Sequence, residues 1–542
     1  MARSVILRAL VRAASSIRSA RAAGVPFREA FDWPDDGPAI SRRTFARVAG
    51  AGAAGAWLAG CGGNGGGARD AQTVIVGAGV AGLHAAHRLN QLGLRPVVFD
   101  ASDRVGGRMH TDRTSFGADQ TAELGAEFID SVHTTLRALA AELELSLDDL
   151  HAERDGDPLF FVGGRPVRVA DLAEGVVPLV AAVDAALATL DDPAAPITYR
   201  NPNGAAALDA MSARQWLDEA GADGPLRAAL EAGLVAEYGL DPEEQSALDV
   251  VLTFAPGEAS DQRYRVRGGN DRIPTRLAEG LDPAQLELGA ALVSLVEQPD
   301  GRYRLSFDRG ASTREIVADH VVLAIPFTLL RRVDLRVSLS AVKRRAIDEL
   351  GYGTNAKLVA GFASRPWRTT GRNGTAITDL DAAVMWDATR GQAGDGGILT
   401  SFRGGRRGVE LARGSPRDQL AAWLREGEAV FPGLASASTG RVVRMHWPSD
   451  PWTRASYSAY RVGQNTTIAG AEGERAGNLH FCGEHTSLEF QGYMEGAAAT
   501  GARAAAEIAA DLGIEPASDA AATPARGVLR RASAWLPGGV RA

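Results

Sequence analysis

The chain has 542 residues, 45% of them hydrophobic and 23% charged, with a formal net charge of −8. Such a length exceeds what one hydrophobic core usually supports, so two or more domains are expected, and the mixture is ordinary for a soluble globular protein. The acidic balance, with no basic stripe in the body of the chain, argues against nucleic acid as a partner, because phosphate binding needs a concentrated basic face.

Residues 1–70 stand apart: arginine-rich at first, then Ser41-Arg-Arg-Thr, an Ala/Gly run to Leu58-Ala-Gly-Cys61, and glycine-rich sequence. The Arg42–Arg43 pair before a short, weakly apolar stretch resembles a twin-arginine export signal, and Leu58 to Cys61 resembles a lipoprotein box with Cys61 as the acylated residue. The apolar run is too short and glycine-rich for a comfortable membrane span. The expectation is an exported protein, periplasmic or membrane-anchored through a lipidated Cys61. With Cys482 the one other cysteine, a disulfide framework and a cysteine metal site are both excluded, and no metal is expected.

The run Thr73-Val-Ile-Val-Gly-Ala-Gly-Val-Ala-Gly82 continues through an Ala/Leu helix pattern to Val97-Val-Phe-Asp100. It reads as strand, tight turn, helix, strand. Gly77 permits the turn, Gly79 lets the backbone approach a pyrophosphate at the positive end of the helix, and Gly82 allows close helix–strand packing. Asp100, ending the second strand, is placed to accept ribose hydroxyl hydrogen bonds, and an acid there favours a free ribose over a 2′-phosphate.

Next come Arg104-Val-Gly-Gly-Arg108 and Ala122-Glu-Leu-Gly-Ala-Glu-Phe-Ile129. Here the sequence resembles the flavin-containing amine oxidase family, which includes monoamine and polyamine oxidases. The resemblance implies an α/β fold: a glutathione-reductase-type, FAD-binding Rossmann-like domain with a discontinuous α+β substrate-binding domain. In the family the Gly-Gly-Arg segment lies along the FAD pyrophosphate and flavin, so Arg104, Gly106, Gly107 and Arg108 inherit cofactor-binding roles. Two glycines expose backbone N–H donors and an arginine adds a charged planar fork. A folded, FAD-loaded protein is also what twin-arginine export would carry.

From His133 to Leu150 the Leu/Ala spacing predicts an amphipathic helix, and residues 151–265 read as largely helical with Pro-rich breaks. Val266-Arg-Gly-Gly-Asn270 looks like the return to the FAD domain. Leu286–Val296 and Tyr303–Phe307 suggest a hairpin, followed by a buried strand from His320 to Pro326. The resemblance implies an adenine contact from backbone near Val293. The resulting division is leader and linker 1–70; FAD-binding parts 71–150, 266–340 and 475–512; substrate parts 151–265 and 341–474; and an Ala/Pro-rich tail 513–542, for which disorder is expected.

Three later blocks carry the chemistry. In Gly351-Tyr-Gly-Thr-Asn-Ala-Lys357, a lysine enters an apolar strand, where burial is expensive without a partner. The family lysine at this place is hydrogen-bonded through water to flavin N5, which makes Lys357 the candidate for assisting reoxidation by O2. The block Trp447 to Tyr460 matches the segment lining the flavin, with Trp447 beside the isoalloxazine. Ser456 stands where some members carry a cysteine that links FAD covalently, so noncovalent FAD is expected. In the block Asn478 to Gly501, Gly483 and Glu484 match ribityl and phosphate contacts, and Met494 matches a backbone contact at the flavin's pyrimidine edge.

Tyr457 and Tyr493 match the family's aromatic cage, which excludes water and aligns a neutral amine at the flavin. The implied reaction is oxidation of an amine to an imine that hydrolyses, with O2 reduced to H2O2. No arginine follows the Leu124-Gly-Ala126 segment where amino-acid oxidases hold a carboxylate, which points toward amines without one. Glu127 is open to two readings, an attractor for a second cationic group or a structural carboxylate. An L-amino-acid oxidase, a dehydrogenase delivering electrons to a periplasmic cytochrome or quinone, a desaturase or porphyrinogen-type oxidase, and a nonenzymatic flavoprotein remain as alternatives.

Overall fold

The computed structural model describes residues 5–23, 72–117, 120–152, 156–256 and 260–514. Arg42, Arg43, Cys61 and residues 515–542 lie outside the described residues, and with them the export motif, the lipidation site and most of the tail.

A five-stranded parallel sheet forms the nucleotide-binding half, in the order Leu479–Phe481, His320–Leu323, Thr73–Val76, Val97–Phe99, Leu286–Glu287. Its central strand, Val74-Ile-Val76, pairs with Val321–Leu323 on one side and Val97–Phe99 on the other, so both faces are buried and the strand is apolar throughout. The Val80–Gln91 and Met494–Asp511 helices pack together over one face. The expected hairpin is present in part: Leu286–Glu287 belongs to the parallel sheet, and the arm proper, Ala291–Glu297, pairs antiparallel with Tyr303–Asp308, which pairs with Thr313–Ala318, while Asp334–Arg336 completes this second sheet.

The other half is built on a mixed seven-stranded sheet in the order Ser438–His446, Ala356–Phe362, Gly397–Arg403, Val384–Asp387, Arg372–Thr378, Asp157–Val162, Arg165–Val167. Helices Val169–Leu187, Ala213–Glu219, Gly224–Tyr238 and Ala247–Thr253 cover its Phe160, Ile377, Trp386 and Phe402 face in one apolar cluster.

Two expectations are corrected. The helix expected over His133–Leu150 spans Thr134–Glu142; Glu144 has a positive φ of 57°, which ends the helical path, and Leu147–Asp149 pairs instead with Tyr264–Val266. Residues 151–265, expected to be largely helical, also supply two strands of the seven-stranded sheet, Asp157–Val162 and Arg165–Val167, whose alternating apolar residues pack under the helices. Upstream, Val5–Ala23 is a helix whose Leu10, Ala13, Ala14, Ile17 and Ala20 are buried. That spacing repeats at the helical period and lays an apolar stripe on the substrate half.

Candidate functional site

Both halves of the chain open onto one cavity of about 440 Å³. Two helices point their N-termini into it. The Val80–Gln91 helix starts at Gly79 and the Met494–Asp511 helix at Tyr493, and neither N-cap supplies a side-chain hydrogen bond. Gly79, Val80, Tyr493 and Met494 all line the cavity, so first-turn N–H groups face it. Unpaired amides at the positive end of a helix favour an anion.

The turn leading to the first helix tolerates no side chain at two points. Gly77 adopts φ +112°, and a Cβ at Gly82 would sit 2.0 Å from the Gly77 carbonyl oxygen. Gly106 N–H donates to the Ala78 carbonyl at 2.9 Å, and Gly79 and Gly106 form an isolated parallel bridge, so the two glycine segments lie side by side on the cavity floor. Gly107 and Arg104 line it too, the Arg104 guanidinium donating to the Gly107 carbonyl at 2.8 Å. Asp100 accepts from Ala78 N–H at 2.6 Å and Ser102 N–H at 2.8 Å, one bond on each oxygen, which leaves an acceptor site on each for a ribose hydroxyl. Burial raises its pKa against the pull of those two amides and of Arg104.

Glu484 is the hub between the glycine loops and the tyrosines. Its carboxylate accepts from Arg108 Nη1 at 2.7 Å, Ser458 Oγ at 2.6 Å, Gly492 N–H at 2.8 Å and Ser458 N–H at 3.2 Å. Burial opposes its charge, but the Arg108 guanidinium and these donors prevail and hold the carboxyl below its usual range. Ser458 follows Tyr457 and Gly492 precedes Tyr493, so one carboxylate fixes the backbone beside both rings. Arg108 also donates to the Ser456 carbonyl at 2.8 Å.

Tyr457 and Tyr493 line the same cavity. Their hydroxyls end on consecutive residues of the Gly224–Tyr238 helix: Tyr457 donates to the Ala236 carbonyl at 3.0 Å and Tyr493 to Glu237 Oε1 at 3.3 Å. Burial, then the nearby Glu237, raises the Tyr457 pKa well above its ordinary value, so the phenol stays neutral. Ser456 also lines the cavity, but its hydroxyl donates to Asn355 Oδ1 at 2.8 Å.

Lys357 is on the wall, 3% exposed, with three acceptors for its three ammonium hydrogens: the Glu123 carbonyl at 2.8 Å, the Gly125 carbonyl at 2.9 Å and Glu127 Oε2 at 2.8 Å. Glu127 also lies 3.6 Å from Arg265 Nη1. Glu127 is thus buried between two cations on the cavity wall, its Oε2 paired with Lys357 and its Oε1 accepting no hydrogen bond among the described residues. Glu123, below it, accepts from Asn270 N–H and the Thr111 hydroxyl, and burial pushes its pKa up to about 7.

Trp447, Gly483 and Met494 line the cavity, the Trp447 indole N–H donating to the Leu124 carbonyl at 3.2 Å. Gly82 packs behind it. Val293 is not among the lining residues; it sits at a bulge in its strand with the side chain 41% exposed. Sequence reasoning missed Asn355, Glu237 and an aromatic wall of Phe128, Trp386 and Phe402, whose rings follow one another at 5.6 and 5.5 Å.

Two uncapped helix N-termini, a side-chain-free glycine floor and an acid at the end of the second strand fit a dinucleotide, and the aromatic chamber beyond them fits its redox ring and a substrate. The comparisons agree. The family described as "Flavin containing amine oxidoreductase" matches residues 80–509. The chain is 27% identical over 457 residues to an L-amino-acid oxidase of Siganus canaliculatus, covering 80% of this chain and 84% of that one. It is likewise 27% identical over 461 residues to the putative flavin-containing monoamine oxidase AofH of Mycobacterium tuberculosis, covering 81% and 96%. Among solved structures it resembles cyclohexylamine oxidase from Brevibacterium oxydans, with TM-score 0.72 and 23% identity over 82% of this chain and 100% of that one. Putrescine oxidase bound to putrescine gives TM-score 0.69 and 24% identity over 81% and 99%. At these identities the two structures establish the fold.

Proposed function

The chain belongs to the flavin-containing amine oxidoreductase family, whose members oxidise amines or amino acids with a flavin cofactor, and from that premise we propose that it oxidises a monoamine bearing a bulky apolar group, with no carboxylate and no second ammonium. The observation that carries this reading is the pairing of charge in the chamber. Among the cavity-lining side chains beside the aromatic wall, Lys357 and Glu127 are bonded to each other, and the buried Glu237 carboxylate behind the tyrosines accepts from the Tyr493 hydroxyl. A carboxylate would need an unengaged guanidinium or ammonium and a diamine an unengaged carboxylate, because a buried charge without a partner is costly. Phe128, Trp386 and Phe402 instead offer apolar surface to an aryl or cycloalkyl group.

Bound noncovalently, FAD would supply the hydride acceptor for the amine's α-carbon and the route for those two electrons to O2, the products being H2O2 and an imine that hydrolyses in water. Noncovalent attachment is supported by Ser456, whose hydroxyl is engaged by Asn355, and by Cys482, fully buried with a thiol pushed up to about 12 and not among the cavity-lining residues. Gly77, Gly79, Gly106, Gly107, Arg104, Arg108 and Asp100 would hold the dinucleotide, with Gly483, Glu484, Trp447 and Met494 along the flavin. Tyr457 and Tyr493 exclude water and orient the amine by ring contact, since their hydroxyl hydrogens are already directed at Ala236 and Glu237. A protonated amine is drawn to the ring faces but must lose its proton before its α-carbon can give up hydride. Lys357, on the wall and paired with Glu127, is proposed to favour reduction of O2 there.

The test is anaerobic bleaching of the flavin by a panel of aryl and cycloalkyl monoamines, diamines and L-amino acids. Rapid bleaching by the bulky monoamines alone is expected; faster bleaching by amino acids overturns the reading in favour of an amino-acid oxidase. Mixing the reduced enzyme with O2 separates oxidase from dehydrogenase, and an unchanged reoxidation rate in Lys357→Met removes Lys357 from that step. Export is part of the proposal, by the twin-arginine route through Arg42 and Arg43, with lipid on Cys61. Fractionation of Arg42→Lys/Arg43→Lys cells and intact mass of the mature protein test it; wild-type enzyme confined to the cytosol would refute it.

A further inference from the structure

The Val5–Ala23 helix lies upstream of the arginine pair, in a stretch whose composition reads as leader, yet it is built into the substrate half. Leu10 and Ile17 each retain 1% exposure and Ala14 none. They join the cluster of Leu179, Val180, Val183, Leu226 and Leu230, drawn from the Val169–Leu187 and Gly224–Tyr238 helices against which Val5–Ala23 packs. Alanines at 13, 14 and 20 keep the contact face flat, which lets helix axes approach closely.

Polar contacts fix its register. Arg18 donates through Nε to Asp184 Oδ1 at 2.8 Å and through Nη1 to the Phe254 carbonyl at 2.9 Å. One side chain therefore ties the N-terminal helix to two others, and its second acceptor is the carbonyl that ends the Ala247–Thr253 helix, where a cation is favoured. Arg21 reaches the Val177 carbonyl at 3.4 Å. A segment passing by would bury neither this stripe nor the Arg18 fork.

We propose that Val5–Ala23 is a built-in clasp: the substrate domain carries an apolar groove whose partner is this chain's own N-terminal helix, and cleavage anywhere in residues 24–71 leaves that helix bound noncovalently. The clasp has a consequence at the chamber. The Gly224–Tyr238 helix that it braces carries Ala236 and Glu237, the two anchors of the cage tyrosines. Releasing the clasp loosens the rings that orient the amine, so KM rises more than kcat falls.

The experiment uses the full-length holoenzyme. Hydrogen–deuterium exchange is followed over residues 5–23 in the wild type, Ile17→Glu, Arg18→Asp, Asp184→Arg and the Arg18→Asp/Asp184→Arg pair. Protection of at least tenfold over an unstructured peptide is expected in the wild type, lost in Ile17→Glu, reduced in each single charge variant and regained in the pair, with KM following the same order. A second arm places a protease site within residues 24–71. After cleavage, the N-terminal fragment is expected to co-elute with the wild-type enzyme and to separate from Ile17→Glu. Exchange of wild-type residues 5–23 at the unstructured rate, loss of the fragment from the wild type, or protection surviving Ile17→Glu would each overturn the clasp. The exchange and co-elution readouts do not depend on which amine is oxidised, so they separate failure of the clasp from failure of the proposed substrate class.

Discussion

The nucleotide-binding end and the substrate chamber share one cavity but are specified in different ways. At the nucleotide end backbone amides line the cavity beside the Asp100, Arg104 and Arg108 side chains, and the glycines at 77, 79, 82, 106 and 107 keep other side chains off that floor within two short segments. In the chamber the contacting groups are side chains from Phe128, Asn355, Lys357, Trp386, Phe402, Tyr457 and Tyr493, brought together by the seven-stranded sheet and the helices over it. Damage at the first end should therefore abolish the holoenzyme, whereas damage at the second should change kinetics and leave the flavin in place.

The largest effect tests the first half of that statement. Gly82→Ala places a methyl 2.0 Å from a backbone oxygen in a turn that has no room to relax. A cost on the order of 3 kcal/mol or more is expected, read as purified protein without flavin absorbance and with a lowered Tm. Normal flavin content in this variant would mean that the helix–turn contact does not organise the site. Glu484→Gln comes next, because it acts on both ends at once. Losing the charge opposite Arg108 and weakening the grip on Ser458 and Gly492 should cost about 2 kcal/mol, discounted for the partial exposure of Arg108. Flavin retention should weaken roughly 10–100-fold, with kcat/KM falling in the fraction that stays loaded; a fall in one alone would separate the two regions that Glu484 joins.

Glu123 gives an effect that depends on pH. Burial raises its pKa from about 4.5 to about 7, so between those values the folded protein holds a proton that the unfolded chain has released. Stability from this group is fully present below about 4.5 and is lost as pH rises through about 7. Glu123→Gln, whose amide can donate to the Thr111 hydroxyl, should flatten the fall in Tm across that window, by on the order of 1–3 kcal/mol at neutral pH. An unchanged Tm–pH slope would show that Glu123 stays ionised beneath Lys357.

The contrast also explains what could be read from the sequence. The glycine turn, Asp100 and the Gly483–Glu484 block are legible because each acts within a few residues of chain, where spacing determines geometry. Tyr457, Tyr493 and Lys357 are legible as residues of the right type in recognisable segments. Their anchors are not, since nothing local connects Tyr493 to Glu237 or Trp386 to Phe128. One weak signal existed for Glu237: with Leu226, Leu230 and Leu234 it shares a helical stripe whose leucines are all buried, so an acid there has to meet a donor. The Val5–Ala23 helix is not legible either, for a different reason. Its arginines and alanines fit a leader by composition, and only the periodic placement of Leu10, Ala14 and Ile17 distinguishes a docked helix from one.

The smallest expected effects lie in the cage and sharpen the comparison most. Removing either phenol oxygen keeps the ring, the cavity and the cofactor contacts, so Tyr→Phe isolates orientation. Tyr493 donates to a carboxylate and Tyr457 to a backbone carbonyl, and hydrogen bonds to charged acceptors are the stronger. The Ala236 carbonyl also keeps a second donor, Asn355 Nδ2 at 3.2 Å, when the Tyr457 hydroxyl is removed. Tyr493→Phe should therefore lower kcat/KM roughly 5–10-fold and Tyr457→Phe only about 2–3-fold, corresponding to about 1 kcal/mol and about half that. Flavin content should be normal in both. If Tyr457→Phe is the more damaging, its hydroxyl contacts the substrate in the Michaelis complex and the ring is more than a wall. If either variant loses flavin, chamber and nucleotide end are coupled through the helix bearing Ala236 and Glu237 more tightly than the Glu484 hub alone provides.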